Sequence, residues 1–500
     1  MARYTAKEIS WLAFNERVLQ EAENPSTPLI QRVRFLGIYS SNQDEFYRVR
    51  VADVRRLASF ASGAKKERYN ALLQEINEQV LALQHRFDHC YEQLMRDLAD
   101  NDVFVVDESK LSDKQHQFVV DYFNREVLNY LNPFFIDEIS EMPLLDDGSI
   151  YFAVQLTLED GHKRYAAVSI PAQRAPRFVR IPARDGRREI AFIVLDNVIR
   201  TCIPAAFRGI LKIVAADAYT FKISRDADLE LGEGITQSHI DRVAKSLKRR
   251  IEADPVRFVH DRDMPRELVD LITRKLKMGR YDSYTPGGRY HNAKDFMGFP
   301  SVGPGKLRYK PLNSVSYDIG PRNIFEALQL RDIMLYYPYH SFQTVVDFLS
   351  TAAIDPQVRS IHISLYRVAA NSLVAGALIN AVRNQKQVTA VLELQARFDE
   401  EANISWAQKL TDAGVNVIFG VEGLKVHSKI ISIVRHEGGA NRFYSHIGTG
   451  NFNEKTANLY CDISLFTADQ EIGRDVANVF DFIRHNYKRH HFKHIHVSPY

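Results

Sequence analysis

Between Val358 and Phe419 the sequence alternates short β-branched runs with longer amphipathic stretches, and that alternation admits few folds. Val358–Leu365 reads as a strand, Ser372–Asn384 as a helix and Val388–Leu394 as an apolar strand, followed by the helix Ile404–Gly414, closed by its glycine, and the strand Val415–Phe419. Strands separated by helical crossovers pair in parallel, so this segment predicts a parallel sheet with helices packed on it. Open sheets of this kind place ligands at the carboxyl ends of their strands. Arg367 and Arg397 fall just past two of those ends and are candidate anion ligands.

The rest of the chain has a different character. At 500 residues the length suits roughly three domains of about 150 residues each. From Trp11 to Leu98 apolar residues recur at helical spacing, as in Ile76, Val80, Leu83, Phe87, Tyr91, Leu94 and Leu98. Tyr151–Leu158 and Arg164–Ile170 are strand-like and joined by Glu159-Asp160-Gly161, a hairpin turn. Asp196–Phe207 and His239–Ala253 read as helices, Phe221–Ser224 and Val256–Val259 as extended, and Tyr281–Pro311, rich in glycine, proline and aromatics, as irregular. The expected class is an α+β multidomain chain: a helical N-terminal domain (1–100), a mixed α/β middle domain (101–312) and an α/β catalytic domain (313–500).

Charge narrows the function. With 65 basic against 62 acidic side chains the chain is near neutral, which does not suit a nucleic-acid binder, so any anion site must be local. Cys90, Cys202 and Cys461 are odd in number and far apart, which argues against a disulfide framework and for a reducing cytoplasm. No apolar run has the length of a membrane span, so the expected location is cytoplasmic, with at most peripheral attachment at an inner membrane.

The chemistry concentrates in Leu424–Val434, which reads as a buried strand with Lys425, His427 and Lys429 on one side. Three basic groups on an apolar strand need an anionic partner, and phosphate is the natural one. Some twenty residues on, His446-Ile447-Gly448-Thr449-Gly450-Asn451 is a strand ending in a glycine-rich turn that brings backbone N–H groups to an anion. A histidine-x-lysine strand followed by Gly-Thr-x-Asn resembles the phospholipase D superfamily. On these residue types His427 is the nucleophile toward phosphorus, Lys429 binds phosphoryl oxygens, and Asn451 shapes the site by hydrogen bonding.

A longer resemblance runs through the chain. Glu8-Ile9-Ser10-Trp11-Leu12-Ala13-Phe14-Asn15-Glu16-Arg17-Val18-Leu19, Ser41-Asn42-Gln43-Asp44-Glu45-Phe46, Pro286-Gly287-Gly288-Arg289-Tyr290-His291, Leu335-Tyr336-Tyr337-Pro338-Tyr339-His340, Glu393-Leu394-Gln395-Ala396-Arg397-Phe398-Asp399-Glu400-Glu401 and His446–Asn453 resemble, in order, the polyphosphate kinase 1 family. The resemblance implies reversible transfer of the ATP γ-phosphoryl group to inorganic polyphosphate, with ADP as the product nucleotide and a phosphohistidine at His427. It further implies Arg367 and Arg397 as ligands of phosphate and Mg2+, Asn42 and Tyr460 as nucleotide contacts, Tyr460 through the base, phospholipase-D-like catalytic domains and a homodimer or tetramer. Family members carry a second such domain, and this chain stops at Val497-Ser498-Pro499-Tyr500, about where it would begin, so the expectation is a chain holding the first half-site.

Plainer readings stand beside these. Asn42 would cap a helix opened by Asp44 and Glu45, Tyr460 would simply pack, and Arg397 would pair with Asp399, Glu400 or Glu401. The histidines of the tail, His485, His490, His491, His494 and His496, lack regular ligand spacing and read as a basic surface rather than a zinc site. The alternative functions are a phospholipase-D-like phosphodiesterase and an inactive polyphosphate-binding fragment.

Overall fold

The computed structural model describes residues 4–207, 211–225, 255–279, 283–290, 293–320, 322–369, 371–393, 400–421 and 424–498. The expected helix His239–Ala253 and the candidate Arg397 lie outside them. The chain divides into two compact units, with a boundary between Lys310 and Pro311.

The first unit opens with four helices, α1 (Lys7–Glu23), α2 (Leu29–Phe46), α3 (Ala52–Phe60) and α4 (Gly63–Ala99). In α4, 37 residues long, Leu73, Ile76, Val80, Leu83, Phe87, Cys90, Leu94 and Leu98 are buried at three- and four-residue steps, the stripe the sequence predicts. That stripe serves two clusters: Leu73, Ile76 and Val80 pack with Leu12, Phe46 and Val54, while Leu83, Phe87, Leu94 and Leu98 pack with Leu19, Ile30, Val33 and Leu36. Asn42 lies inside α2 and does not cap it, because the buried series Ile30, Val33, Leu36, Tyr39, Phe46 carries the helix straight through it.

Among the described residues nine strands follow: β1 (Val103–Val106), β2 (Phe134–Phe135), β3 (Ile150–Leu158), β4 (Lys163–Ser169), β5 (Phe178–Ile181), β6 (Ile190–Val194), β7 (Ile213–Arg225), β8 (Pro255–Asp261) and β9 (Ser283–Gly287). They form sheets of order β1-β6-β5 and β2-β4-β3-β7-β8-β9. The β3–β4 hairpin turns at Gly161, whose φ of +82° suits glycine. The segment expected to be irregular instead contributes β9, parallel to β8. Its Pro286 and Gly287 are compatible with a strand because β9 is a sheet edge, where a missing N–H faces no neighbour.

In the second unit a seven-stranded sheet has the order β10-β16-β15-β14-β11-β12-β13, from β10 (Ile333–Tyr337), β11 (Val358–Leu365), β12 (Gln387–Leu392), β13 (Asn416–Ile418), β14 (Lys429–Glu437), β15 (Ala440–Gly448) and β16 (Asp462–Thr467). β11, β12 and β13 are parallel and connected through the helices Leu373–Arg383 and Glu400–Asp412, as the alternating pattern requires. One face carries the large core with Phe348, Leu378, Ile361, Ile431 and Phe466. The other takes the helix Gln470–Arg484 through Val476, Val479 and Phe480 against Val391 and Ile430.

One sequence expectation changes here. β14 begins at Lys429, not Leu424, and Lys425 and His427 lie in an unladdered lead-in, exposed, while Lys429 is only 5% exposed. The three basic groups therefore do not share one face of a buried strand. In the tail, His485 pairs with Asp481 and His494 with Glu471. Among the described residues no helix is long and apolar enough to cross a membrane.

One buried carboxylate holds the backbone of the tail. Asp475, 4% exposed, accepts the backbone N–H groups of Lys493, His494 and Ile495 at 2.8, 2.6 and 3.1 Å. Asp475→Ala leaves those donors without an acceptor, and a loss of about 2 kcal/mol in urea unfolding is expected, together with faster tryptic cleavage at Lys488, Arg489 and Lys493. Unchanged cleavage would show that apolar packing alone fixes the tail.

Candidate active site

The sheet's geometry gathers the candidate groups at one end. The carboxyl end of β11 delivers Tyr366 and Arg367, the antiparallel β14 starts there with Lys429, and Lys429 is paired in register with Gly448 at the close of β15. His427 stands two residues before that start, its ring 5.2 Å from the Tyr366 ring in an edge-on arrangement. The Lys429 ammonium lies 5.2 Å above the same Tyr366 ring and donates to the His427 carbonyl at 2.5 Å.

Three further side chains support the lead-in where the backbone ladder has ended. Ser364 donates to the Ser428 carbonyl at 2.8 Å and accepts from Ile430 N–H at 3.1 Å. Glu393, 5% exposed, accepts the Val426 N–H at 3.1 Å. Asn403, fully buried, donates to the carbonyls of Tyr366 and Glu393 at 2.8 and 2.9 Å, tying the ends of β11 and β12 together. The sequence reading missed Ser364, Glu393 and Asn403. The available signal was a lone polar residue inside an apolar pattern, at the strand ends for the first two and on the helix face for Asn403, since buried polar groups are retained only with partners.

The glycine turn closes the site from the side of β15 and β16. Thr449 donates to Asp462 at 2.7 Å, and a Cβ on Gly450 would sit 2.5 Å from the Asp462 carboxylate, so only glycine allows this approach. Asn451 has a buried side-chain carbonyl without a partner. His446 lies behind the turn, 1% exposed, with Nε2 2.7 Å from Ser464 Oγ and Nδ1 unpartnered. Tyr460, 63% exposed, stands free of the core, so it does not simply pack. Asn42 belongs to the first unit, where it donates to Asn15 at 3.0 Å.

Burial first, and then the charge on Lys429, lower the His427 pKa, which favours the neutral imidazole that a nucleophile requires. Burial also brings Lys429 down to about 8, with Asp462 opposing the shift and Arg367 adding to it. Arg367, Lys429 and Asp462 thus share one electrostatic environment at the mouth of the sheet. Among the described residues no group of three or more His, Cys, Asp or Glu could hold a metal ion.

The family model for the polyphosphate kinase N-terminal domain matches residues 4–106, that for the middle domain matches 114–299, and that for C-terminal domain 1 matches 323–489. The chain belongs to the polyphosphate kinase family. It is 46% identical to a polyphosphate kinase of Vibrio parahaemolyticus over 501 residues, covering 99% of this chain and 72% of that protein. The polyphosphate kinase of Escherichia coli K12 is likewise 46% identical over 503 residues, with 99% and 73% covered. The crystal structure of polyphosphate kinase from Porphyromonas gingivalis superposes with a TM-score of 0.77 at 28% identity, over 97% of this chain and 70% of that one. Membership places the chain among phosphotransferases, and it spans a little over seven tenths of the length of these two relatives.

His446 gives this polyphosphate kinase family member an acid-sensitive point. Burial lowers its pKa from 6.5 to about 3, so across that window the unfolded chain holds the extra proton and stability falls as pH falls. His446→Gln should flatten the decline of the urea midpoint between pH 6.5 and about 5. An unaltered slope would mean the folded chain accepts the proton there.

Proposed function

We propose that His427 attacks the γ-phosphorus of ATP. A bond forms from an imidazole nitrogen to phosphorus, the bridging P–O bond breaks and ADP leaves. In the second half-reaction a terminal oxygen of polyphosphate attacks the phosphohistidine, the P–N bond breaks and the chain grows by one phosphate. Running the steps backwards makes ATP. The observation that carries this reading is the position of His427: exposed, its segment tied down by Ser364, Glu393 and Lys429, and next to cations with no described carboxylate but Asp462 among the charges acting on Lys429.

Phosphoryl transfer asks a protein mainly for position and charge. Arg367 suits bidentate binding of phosphoryl oxygens at the end of β11, and Lys429 adds a charge held still by its bond to the His427 carbonyl. By the resemblance, Arg397 joins Arg367, Tyr460 stacks on the base and Asn42 touches the nucleotide. The exposure of Tyr460 is compatible with that role. Asn451, expected to shape the site by hydrogen bonding, makes no such bond to the Gly448–Gly450 turn; its buried side-chain carbonyl is left without a partner. Mg2+ would be carried in on the nucleotide phosphates near Arg367 and Arg397, where it would offset phosphate charge.

Incubation with magnesium and γ-labelled ATP should leave acid-labile, alkali-stable label on the chain, absent from His427→Ala. Label surviving in His427→Ala would overturn the assignment. Lys429→Met should reduce the rate of labelling by roughly 10²–10³-fold. Because Lys429 loses its proton above about 8, labelling should decline as pH rises through that value, and Lys429→Arg should move the decline to higher pH. A profile identical in Lys429→Arg would assign it to another group.

A further inference from the structure

A cavity of about 40 Å³ lies in the first unit, lined by Tyr39, Ser40, Gln43 and Asp44 of α2, Arg257 of β8, and Gly287 and Gly288 at the end of β9. Two of its walls carry buried donors with nothing to donate to. Gln43 is 5% exposed, and its orientation is set by its neighbours: Asn42 donates to Asn15 Oδ1 and Asn15 donates to Gln43 Oε1 at 3.2 Å. Gln43 Nε2 is thereby left as the free end, buried and without a hydrogen-bond partner. Arg257, also 5% exposed, lies over the Tyr47 ring at 4.2 Å, and its Nε is likewise buried without a partner. Its carboxylate neighbour, Asp44, is 3.8 Å away and already engaged by Lys222.

Buried donors are almost always satisfied, and two unsatisfied ones on one cavity mark the place of an acceptor. Charge says which kind. Arg257 and Lys222, 5% and 1% exposed, both engage Asp44, the carboxylate at the cavity wall, and Lys294 adds further positive potential at Lys222. An anion answers both needs. The volume then sets its size: it exceeds the ~10–15 Å³ that one water occupies by the same measure, yet falls far below the ~300 Å³ of a site for a nucleotide-sized ligand.

We propose that this cavity binds one tetrahedral phosphate-type oxyanion, with Arg257 and Gln43 as its donors. The anion is either free orthophosphate or the end group of a polyphosphate chain; both present the same oxygens. The proposal concerns the first unit alone and does not depend on the chemistry of His427.

Isothermal titration of the full chain carrying Arg367→Ala, which weakens phosphate binding at the sheet end, with orthophosphate and separately with short linear polyphosphate tests this. Orthophosphate should bind at one site per chain, and Gln43→Glu should weaken it at least tenfold. That change keeps the acceptor for Asn15 and replaces the free donor with a negative charge, so the thermal midpoint without phosphate should move little. Arg257→Lys should weaken binding less than Arg257→Met. Loss confined to polyphosphate would support the site and identify the chain end as its occupant. Equal binding of both ligands in the parent and in a folded Gln43→Glu, or no binding of either, would overturn the proposal and leave water as the occupant. If Arg257→Met does not fold, Gln43→Glu decides the matter alone.

Discussion

The ladder between β11 and β14 ends at the pair Ile363–Ile431, and the arrangement at the sheet end depends on what replaces it. Beyond that pair a backbone left to itself would be solvated and variable. Ser364 instead bonds the Ser428 carbonyl and the Ile430 N–H, continuing the pairing with a side chain. Glu393 reaches from the end of β12 to Val426, so the lead-in is gripped on both sides of His427. A segment held this way keeps its backbone in place while its exposed side chain stays accessible. Full incorporation into β14 would have placed the imidazole in a packed face.

Holding cations together at that end has an electrostatic cost that the fold accepts. Lys429 is buried beside Arg367 with Asp462 as partial compensation, and burial first, then Arg367, lowers its pKa. Desolvated like charges are most stable when an anion joins them. Such a site favours a highly charged phosphate over neutral ligands before any specific contact is made. Asp462 in turn is anchored by Thr449, which only the bare Gly450 permits, so the glycine turn acts through a carboxylate as well as through its own N–H groups.

Much of this was legible in the residues. Periodicity fixed the parallel trio β11–β13 and the helices of the first unit because each buries a repeating apolar face. The motifs around His427 and Gly448–Asn451 mark the sheet end because cations and glycines are costly there without a purpose. Pattern failed where tertiary context decides. Leu424–Ser428 has strand composition yet no ladder, since pairing depends on a neighbour far away in sequence. β9 contains proline and glycine, which composition reads as loop and an edge position tolerates. Ser364, Glu393 and Asn403 were not visible as a group, because what joins them is the convergence of two strand ends on one helix.

The length of α4 has a consequence for how the first unit comes apart. One continuous buried stripe belongs to two hydrophobic clusters, one with Leu12 and Phe46, the other with Leu19 and Val33. Neither cluster can lose its share of the helix without fraying the turns that serve the other, since helical hydrogen bonding is cooperative along the chain. The helix therefore works as a mechanical shaft between them, and the two clusters are expected to open as a single cooperative unit rather than in sequence.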